Sequence, residues 1–379
     1  MKKRSTFTFL AITLLFTGCH SSVKQAADLI EVNLSQTCPE HEYVLQEIAE
    51  VDYLPLETKD DFLIDGSVGF MDSERIIVGS SRKDQLFFFD RKTGAPTGVL
   101  NQKGNSGKEY VNIDAFVFDG SAGEVYILDS SRKKIMVYDI NQYFIRSFET
   151  KGYGKMADYD KKSLLFYREQ QDSTSNPFFL ISKENGEVMQ TLDIVAGPRL
   201  DKFPVTVRDG NVAMASLAGV SGYMVTAQNG VLISEWNCDT MYRFDYRGAL
   251  APVAVRKPSA DKMEPRWLLH VSGDNARFTA FTATMVGGFV QGALKIEERH
   301  FVYDKQAQKL VTPHFVNKDY PEEPFLYGIT QYGADTVSVL SADRLFAAYG
   351  KGKLHGRLKE IASTLKEDDN PVLMIVRFK

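Results

Sequence analysis

Cysteine is scarce in this sequence: three occur in 379 residues, at positions 19, 38 and 238. So few exclude a disulfide-stapled scaffold, and no two stand at the Cys-x-x-Cys spacing of a zinc site. The six histidines, at 20, 41, 270, 300, 314 and 355, are scattered, with none paired at metal-ligand spacing. There is no surplus of positive charge. A formal net charge of −4 argues against a nucleic-acid binder, which carries a basic stripe. Past the first twenty residues no apolar run is long enough to span a bilayer. Catalytic motifs are also missing. Gly104 to Lys108 is not a phosphate loop, because Gln102 stands where glycine is required and Glu109 where a hydroxyl residue should follow the lysine. Around Ser221 the glycine of a nucleophile elbow is replaced by Tyr223, and Asp139-Ile-Asn141 lacks the glycine and closing glutamate of a calcium loop. The acidic doublets at 60–61, 297–298, 322–323 and 368–369 read as solvated turns rather than facing catalytic pairs. No cofactor is implied.

What the sequence has is short aromatic and β-branched runs, with aromatics at 12% of residues. The stretch Glu124 to Phe148 reads as three antiparallel strands broken by turn residues. With Asp114 to Asp119 in front it becomes four strands in about 35 residues, the size of one propeller blade. A lone blade cannot bury both faces, so the pattern should recur. It does. Arg75 to Lys83 aligns with Val125 to Lys133, and both copies contain Ser-Ser-Arg-Lys, with Arg82 and Arg132 fifty residues apart. Strand runs ending in an aromatic residue and aspartate recur at Asp90, Asp139, Asp245 and Asp304, and the long gap after Asp139 has room for a unit that lacks the aspartate. The units are expected at Phe62 to Leu100, Asp114 to Thr150, Ser163 to Gly186, Asn211 to Tyr246 and Phe278 to Phe315, with a sixth beginning at Leu326 to Ala348. Leu354, Leu358, Ile361 and Leu365 form one stripe of a helix that Asn370-Pro371 stops, and Val372 to Phe378 is a final strand. That strand, or the one near Val51, is expected to close the ring.

At the N-terminus, Lys2, Lys3 and Arg4 precede an apolar segment, Phe7 to Phe16, too short to span a membrane. Phe16-Thr-Gly-Cys19 resembles a bacterial lipobox, with Phe16 where leucine is usual. The resemblance implies lipidation at Cys19 and membrane attachment through that lipid. Residues 1–19 are thus expected to be a lipoprotein signal peptide, 20–42 a polar tether, and 43–379 the propeller. That leaves Cys38 and Cys238, for which a disulfide is open but unsupported by any motif, and two unpaired thiols are the expectation.

Asp114 to Thr150 resembles an NHL-type blade through Phe118-Asp119, Val125-Tyr-Ile-Leu-Asp129 and Lys134-Ile-Met-Val-Tyr-Asp139. The whole chain resembles the six-bladed β-propeller lipoproteins of Bacteroides and its relatives, through the lipobox, Leu54-Pro-Leu-Glu57, the connector ending in Glu109-Tyr110, and the tail Asp368-Asp-Asn-Pro371. The expected fold is therefore all-β, a six-bladed β-propeller of four-stranded antiparallel blades with a short C-terminal helix and closing strand. The resemblance implies a monomeric outer-membrane lipoprotein facing the periplasm, accessory to nutrient uptake and binding a glycan or a protein. A propeller enzyme, a lyase or hydrolase using the central pocket, is the alternative. Candidate ligand-binding residues are Ser81, Arg82, Ser131 and Arg132, whose guanidiniums could clamp carboxylates or glycans from one face; the alternative is that they merely cap turns. Trp236 and Trp267 could stack on sugars or pack in the core.

Overall fold

Glu124–Asp129 and Lys134–Asp139 pair antiparallel with Ile127 opposite Met136 and Tyr126 opposite Val137, all four fully or almost fully buried. Both faces of this sheet are apolar, so it must be sandwiched between neighbours, which is what a propeller provides. The computed structural model describes residues 29–59, 62–80, 82–150, 154–168, 176–194, 202–206, 212–216, 222–290, 293–322, 330–332 and 335–379. They form a six-bladed β-propeller of antiparallel blades. The first blade comprises Ser67–Met71, Arg75–Ser80, Gln85–Asp90 and Pro96–Leu100; the second Ala115–Asp119, Glu124–Asp129, Lys134–Asp139 and Phe144–Glu149. Gly154–Asp158, Ser163–Arg168, Phe178–Ser182 and Val188–Thr191 make the third, and Gly222–Ala227, Gly230–Glu235, Thr240–Phe244 and Leu250–Lys257 the fourth. The fifth has Trp267–Asp274, Phe278–Val290, Ala293–Asp304 and Lys309–Val316. The sixth orders Thr330–Tyr332, Asp335–Leu340, Val372–Phe378 and, outermost, Ala49–Pro55. Ring closure therefore uses both expected strands, the C-terminal one paired antiparallel to that containing Val51.

Six apolar clusters fill the six interfaces between successive blades. Between the first and second, Ile77, Phe88 and Leu100 meet Phe118, Ile127 and Met136; between the sixth and first, Val337 and Leu373 meet Ile76, Val78 and Phe87. The aspartates that end third strands have a local reason. Asp90, Asp245 and Asp304 each accept two backbone N–H bonds from the turn that follows, at 2.8–3.1 Å, and Asp139 accepts one from Tyr143 at 2.8 Å. In the third blade Ser182 takes that place, its Oγ accepting from the Glu184 N–H at 3.1 Å. Gly94 and Gly186 adopt φ of +72° and +74° in two of these turns, which an L side chain would oppose.

Five expectations need correction. The tether, expected to run to residue 42, ends by Ile30. Ile30–Asn33 adds in parallel to the outer strand of the fourth blade and Glu40–Val44 to that of the fifth, so that Val32 and Leu34 are buried between those blades. The fourth blade begins at Gly222 rather than Asn211; Val212–Ser216 pairs instead with Lys202–Thr206 as a separate hairpin. The third and fifth each begin one strand earlier than expected, at Gly154 rather than Ser163 and at Trp267 rather than Phe278, and the third extends past Gly186 to Thr191. The run taken as strand up to Ala348 contains a helix, Ala342–Gly350, whose Ala342, Leu345 and Ala348 face inward at helical spacing. The expected helix follows it as Gly356–Ala362, with Leu354 and Leu358 buried and Ile361 and Leu365 packed beside them. Cys38 and Cys238 are unpaired; the Cys38 thiol donates to the Leu310 carbonyl at 3.4 Å. Cys19 and residues 1–28 lie outside the described residues.

Candidate functional site

Alternation of strand direction gives the ring two faces. Loops joining second to third strands, and blade to blade, share one, here the connector face; loops joining first to second and third to fourth strands share the other, the turn face. Innermost strands of all six blades line a central channel of about 470 Å³. Its wall is largely aromatic and thioether: Phe70, Phe116, Met156, Met224 and Tyr332 come from five different blades, and Ser272 from the remaining one. A mixed wall of this kind accepts a ligand with both ring faces and hydroxyls.

Towards the turn face the channel meets a charged network. The buried Lys183 ammonium donates to Asp119 at 2.6 Å and pairs with Asp158 at 2.7 Å. Burial opposes ionisation of Asp119, yet Lys183 and Ser121 outweigh it and hold its carboxyl below the usual range. Asp158, which lines the channel, goes the other way: burial raises its pKa despite Lys183. Two carboxyls on one ammonium, pushed apart in pKa, are a candidate acid and its neighbouring base. Arg146 flanks this network, paired bidentately with Glu124 at 2.7 Å and donating to the Lys183 carbonyl at 2.8 Å.

Near the connector face a second cluster stands beside the channel. His270 stacks on Tyr223, ring centroids 3.7 Å apart, and its Nδ1 accepts from the Trp236 indole N–H at 3.4 Å. Lys155 lies 4.2 Å over the opposite partner, the Tyr223 ring. Burial first, and then Lys155 and His300, push the His270 pKa down to about 3, so it is neutral at pH 7 with its proton on Nε2.

The sequence-derived candidates fall elsewhere on that connector face. Arg132 stands in the loop between second and third strands, where it donates to the carbonyls of Ser106 at 2.7 Å and Gly104 at 3.1 Å. Its role in the structure is thus to tie its loop to the inter-blade connector, which Tyr110 also staples by donating to the Asp84 carbonyl at 2.8 Å. Ser131 donates to the Asn112 side chain at 2.5 Å. Arg82 occupies the equivalent loop, 83% exposed, 3.6 Å from Asp65. Ser81 lies outside the described residues. Trp236 and Trp267 are both buried, Trp267 beneath the Arg299 guanidinium at 4.1 Å. Among the described residues no three His, Cys, Asp or Glu side chains group as metal ligands. None is part of a helix long and apolar enough to cross a membrane.

A family model described as "Domain of unknown function (DUF4934)" matches residues 29–377. The chain belongs to that family. The match begins where the first described strand does, so the two strands added to the fourth and fifth blades are part of the DUF4934 unit. Among solved structures, a Bacteroides fragilis protein described as exported is similar with a TM-score of 0.65 at 17% identity, covering 93% of this chain and 99% of that one; at this identity the likeness is one of fold. A member of the DUF4221 family from Bacteroides vulgatus is similar at a TM-score of 0.49 and 8% identity, covering 88% and 99%. No curated protein matches the sequence.

Proposed function

We propose that this DUF4934 chain is a lipid-anchored, extracytoplasmic binding module whose ligand enters the central channel from the turn face, in the service of glycan uptake at the outer membrane. The observation that carries the reading is the channel wall, where aromatic and methionine side chains from separate blades converge on about 470 Å³ beside hydroxyls and a carboxyl. Stacking faces beside hydrogen-bonding groups suit sugar rings. The extracytoplasmic placement is supported by the lipobox-like Phe16-Thr-Gly-Cys19 and by the similar Bacteroides fragilis protein described as exported. Labelling with a radioactive fatty acid should be lost on Cys19→Ala.

A thermal-shift screen of oligosaccharides tests the channel. A ligand at a hundred times its dissociation constant adds about 2.7 kcal/mol of stability. Thr226 lines the channel and is exposed, so Thr226→Trp fills the space without disturbing the core and should abolish the shift. A shift that survives this variant places the ligand elsewhere. The second reading, a lyase or hydrolase, is favoured by one observation, the raised pKa of Asp158 within the channel. It predicts slow turnover of a bound sugar that Asp158→Asn removes while binding persists.

A further inference from the structure

At the turn face, the channel opens into a cleft of about 800 Å³ over the seam between the sixth and first blades; Phe70, Met71 and Tyr332 line both spaces. The cleft is built by sequence-distant parts of the chain: Arg91 and Lys92 from a first-blade turn, Asp335 and Arg377 from the sixth blade, Asp52 from the closing strand and Arg357 from the helix Gly356–Ala362. Its charges do not cancel. Asp335, nearly buried, is shared by two guanidiniums: Arg377 donates Nε to it at 2.8 Å with Nη2 at 2.7 Å, and Arg91 donates at 3.3 Å. Two cations on one anion leave one positive charge over, while Lys92 stands beside Asp90, whose carboxylate it helps to hold ionised. Asp52 is answered by Arg357 at 3.3 Å, and Asp72 shares Arg75 with Glu74, at 3.5 and 3.0 Å, so the lining itself, Arg91, Lys92, Arg357 and Arg377 against Asp52, Asp72 and Asp335, carries one positive charge in excess. Arg91 is 18% exposed and Arg377 56%, so one guanidinium is fixed and the other reaches into the cleft. A guanidinium already oriented by a buried carboxylate offers planar paired donors to a second one.

We propose that this seam cleft seats the carboxylate of an acidic sugar whose neighbouring rings lie in the channel, with Arg377, Arg91 and Lys92 as its partners. This rests on the channel reading above and narrows it from glycans to uronate-containing ones. The recognition is geometric as well as electrostatic: the aromatic wall takes ring faces, and the cleft, which shares Phe70, Met71 and Tyr332 with the channel, takes the charge.

The test is calorimetric titration of the full chain in detergent with trigalacturonate and with its fully methyl-esterified form, which has the same rings without the charges. The acid should bind at least tenfold more tightly, and only its affinity should fall with added salt. Arg377→Gln should weaken the acid at least tenfold. Because that variant also disturbs Asp335, Lys92→Gln is the folding-neutral companion; it should keep the wild-type melting temperature and weaken the acid several-fold, leaving the ester unchanged. Equal binding of acid and ester, or acid binding unmoved by both substitutions, overturns the seam proposal. If both forms bind equally and Thr226→Trp abolishes both, the channel reading survives and only the seam falls. If neither form binds, the uronate proposal falls, and a neutral oligosaccharide that still shifts the melting temperature leaves the channel reading standing.

Discussion

Arg256→Met is the sharpest test of how this ring is held together. Arg256 lies in the outer strand of the fourth blade, opposite Val32 of the added N-terminal strand, and is 2% exposed. Its guanidinium donates to the Asp239 carboxylate at 2.8 and 3.0 Å, to the carbonyls of Trp236 and Cys238 at 3.2 Å, and to that of Trp267, the first residue of the fifth blade, at 3.2 Å. One side chain thus satisfies groups on two blades. Methionine fills much of the volume and supplies no donor, leaving three carbonyls unmatched and the Asp239 carboxylate, one-third exposed, with only its Ala260 N–H bond at 3.1 Å and Ser259 as partners. Breaking a buried pair by removing one partner costs about 3–5 kcal/mol. Unfolding entropy of about 2.1 cal/mol/K per residue gives roughly 0.7 kcal/mol/K for a body of about 350 residues, so the melting temperature should drop by about 4–7 °C. Differential scanning fluorimetry and urea titration read this directly. Arg256→Met combined with Asp239→Asn should lose less than the two single losses together, because the cycle isolates their pairing. A loss under about 1 kcal/mol, or strict additivity, would refute the claim that this ion pair couples the blades.

Acid sensitivity should separate into two windows. His270 has a folded pKa of about 3, against an ordinary value of 6.5, so the folded state resists its protonation and stability is lost as pH falls between those values; His270→Asn should flatten urea midpoints there. Glu124 is held below its ordinary value first by its hydrogen bonds from Arg146, so its contribution is full above the carboxylate range and lost only as pH falls through it. Glu124→Gln should therefore be destabilising at pH 7 and converge with wild type in acid, a trend that parallel curves would contradict. Leu34→Ala should cost about 2–5 kcal/mol, the range for a buried leucine, while Leu29→Ala, 43% exposed, should stay within about 0.5 kcal/mol. Equal small effects would mean that the N-terminal strand is not part of the core.

The second blade was legible to within a residue and the first from its second strand onward, its first strand starting at Ser67 rather than Phe62, because the signals they carry are local. An aspartate that caps the turn after the third strand must sit at the strand end, as Asp90 and Asp139 do, and the continuous apolar runs in front of such marks leave little freedom. The third blade was legible only in its two middle strands, within Ser163 to Gly186, because serine does the same capping at 182 and no aspartate marks the unit. The N-terminal strands were not legible. Glu40, His41 and Glu42 are exposed, and what makes them strand is pairing with Thr312 to His314, a partner no local pattern can announce. The helix Ala342–Gly350 was misread because alanine and leucine at helical spacing also fit a strand that continues the blade. The channel was invisible for a different reason. Five of the blades lend it a few apolar side chains each, which in sequence look like ordinary core, and only closure of the ring brings Phe70, Met156 and Tyr332 to one space.

That closure gives residues 30–55 strand partners far away in sequence. Residues 30–33, 40–44 and 49–55 serve the fourth, fifth and sixth blades in turn, each pairing with a strand made more than two hundred residues later. The tertiary contacts they make are equally distant: Tyr43 donates to Asp304 at 3.0 Å and Tyr53 to Asp319 at 3.0 Å. Contacts of such separation cost loop-closure entropy before they contribute stability. The first three blades, by contrast, are built from consecutive strands and can form from local pairing alone. Until the N-terminal belt docks, the outer edges of the fourth and fifth blades are open, and the interface clusters that include Val32, Leu34, Tyr43 and Tyr53 are incomplete. The channel mouth inherits this dependence, since Asp52 and Tyr53 of the closing strand line the seam cleft together with Arg377 of its partner. The binding surface at that seam therefore exists only in the closed ring.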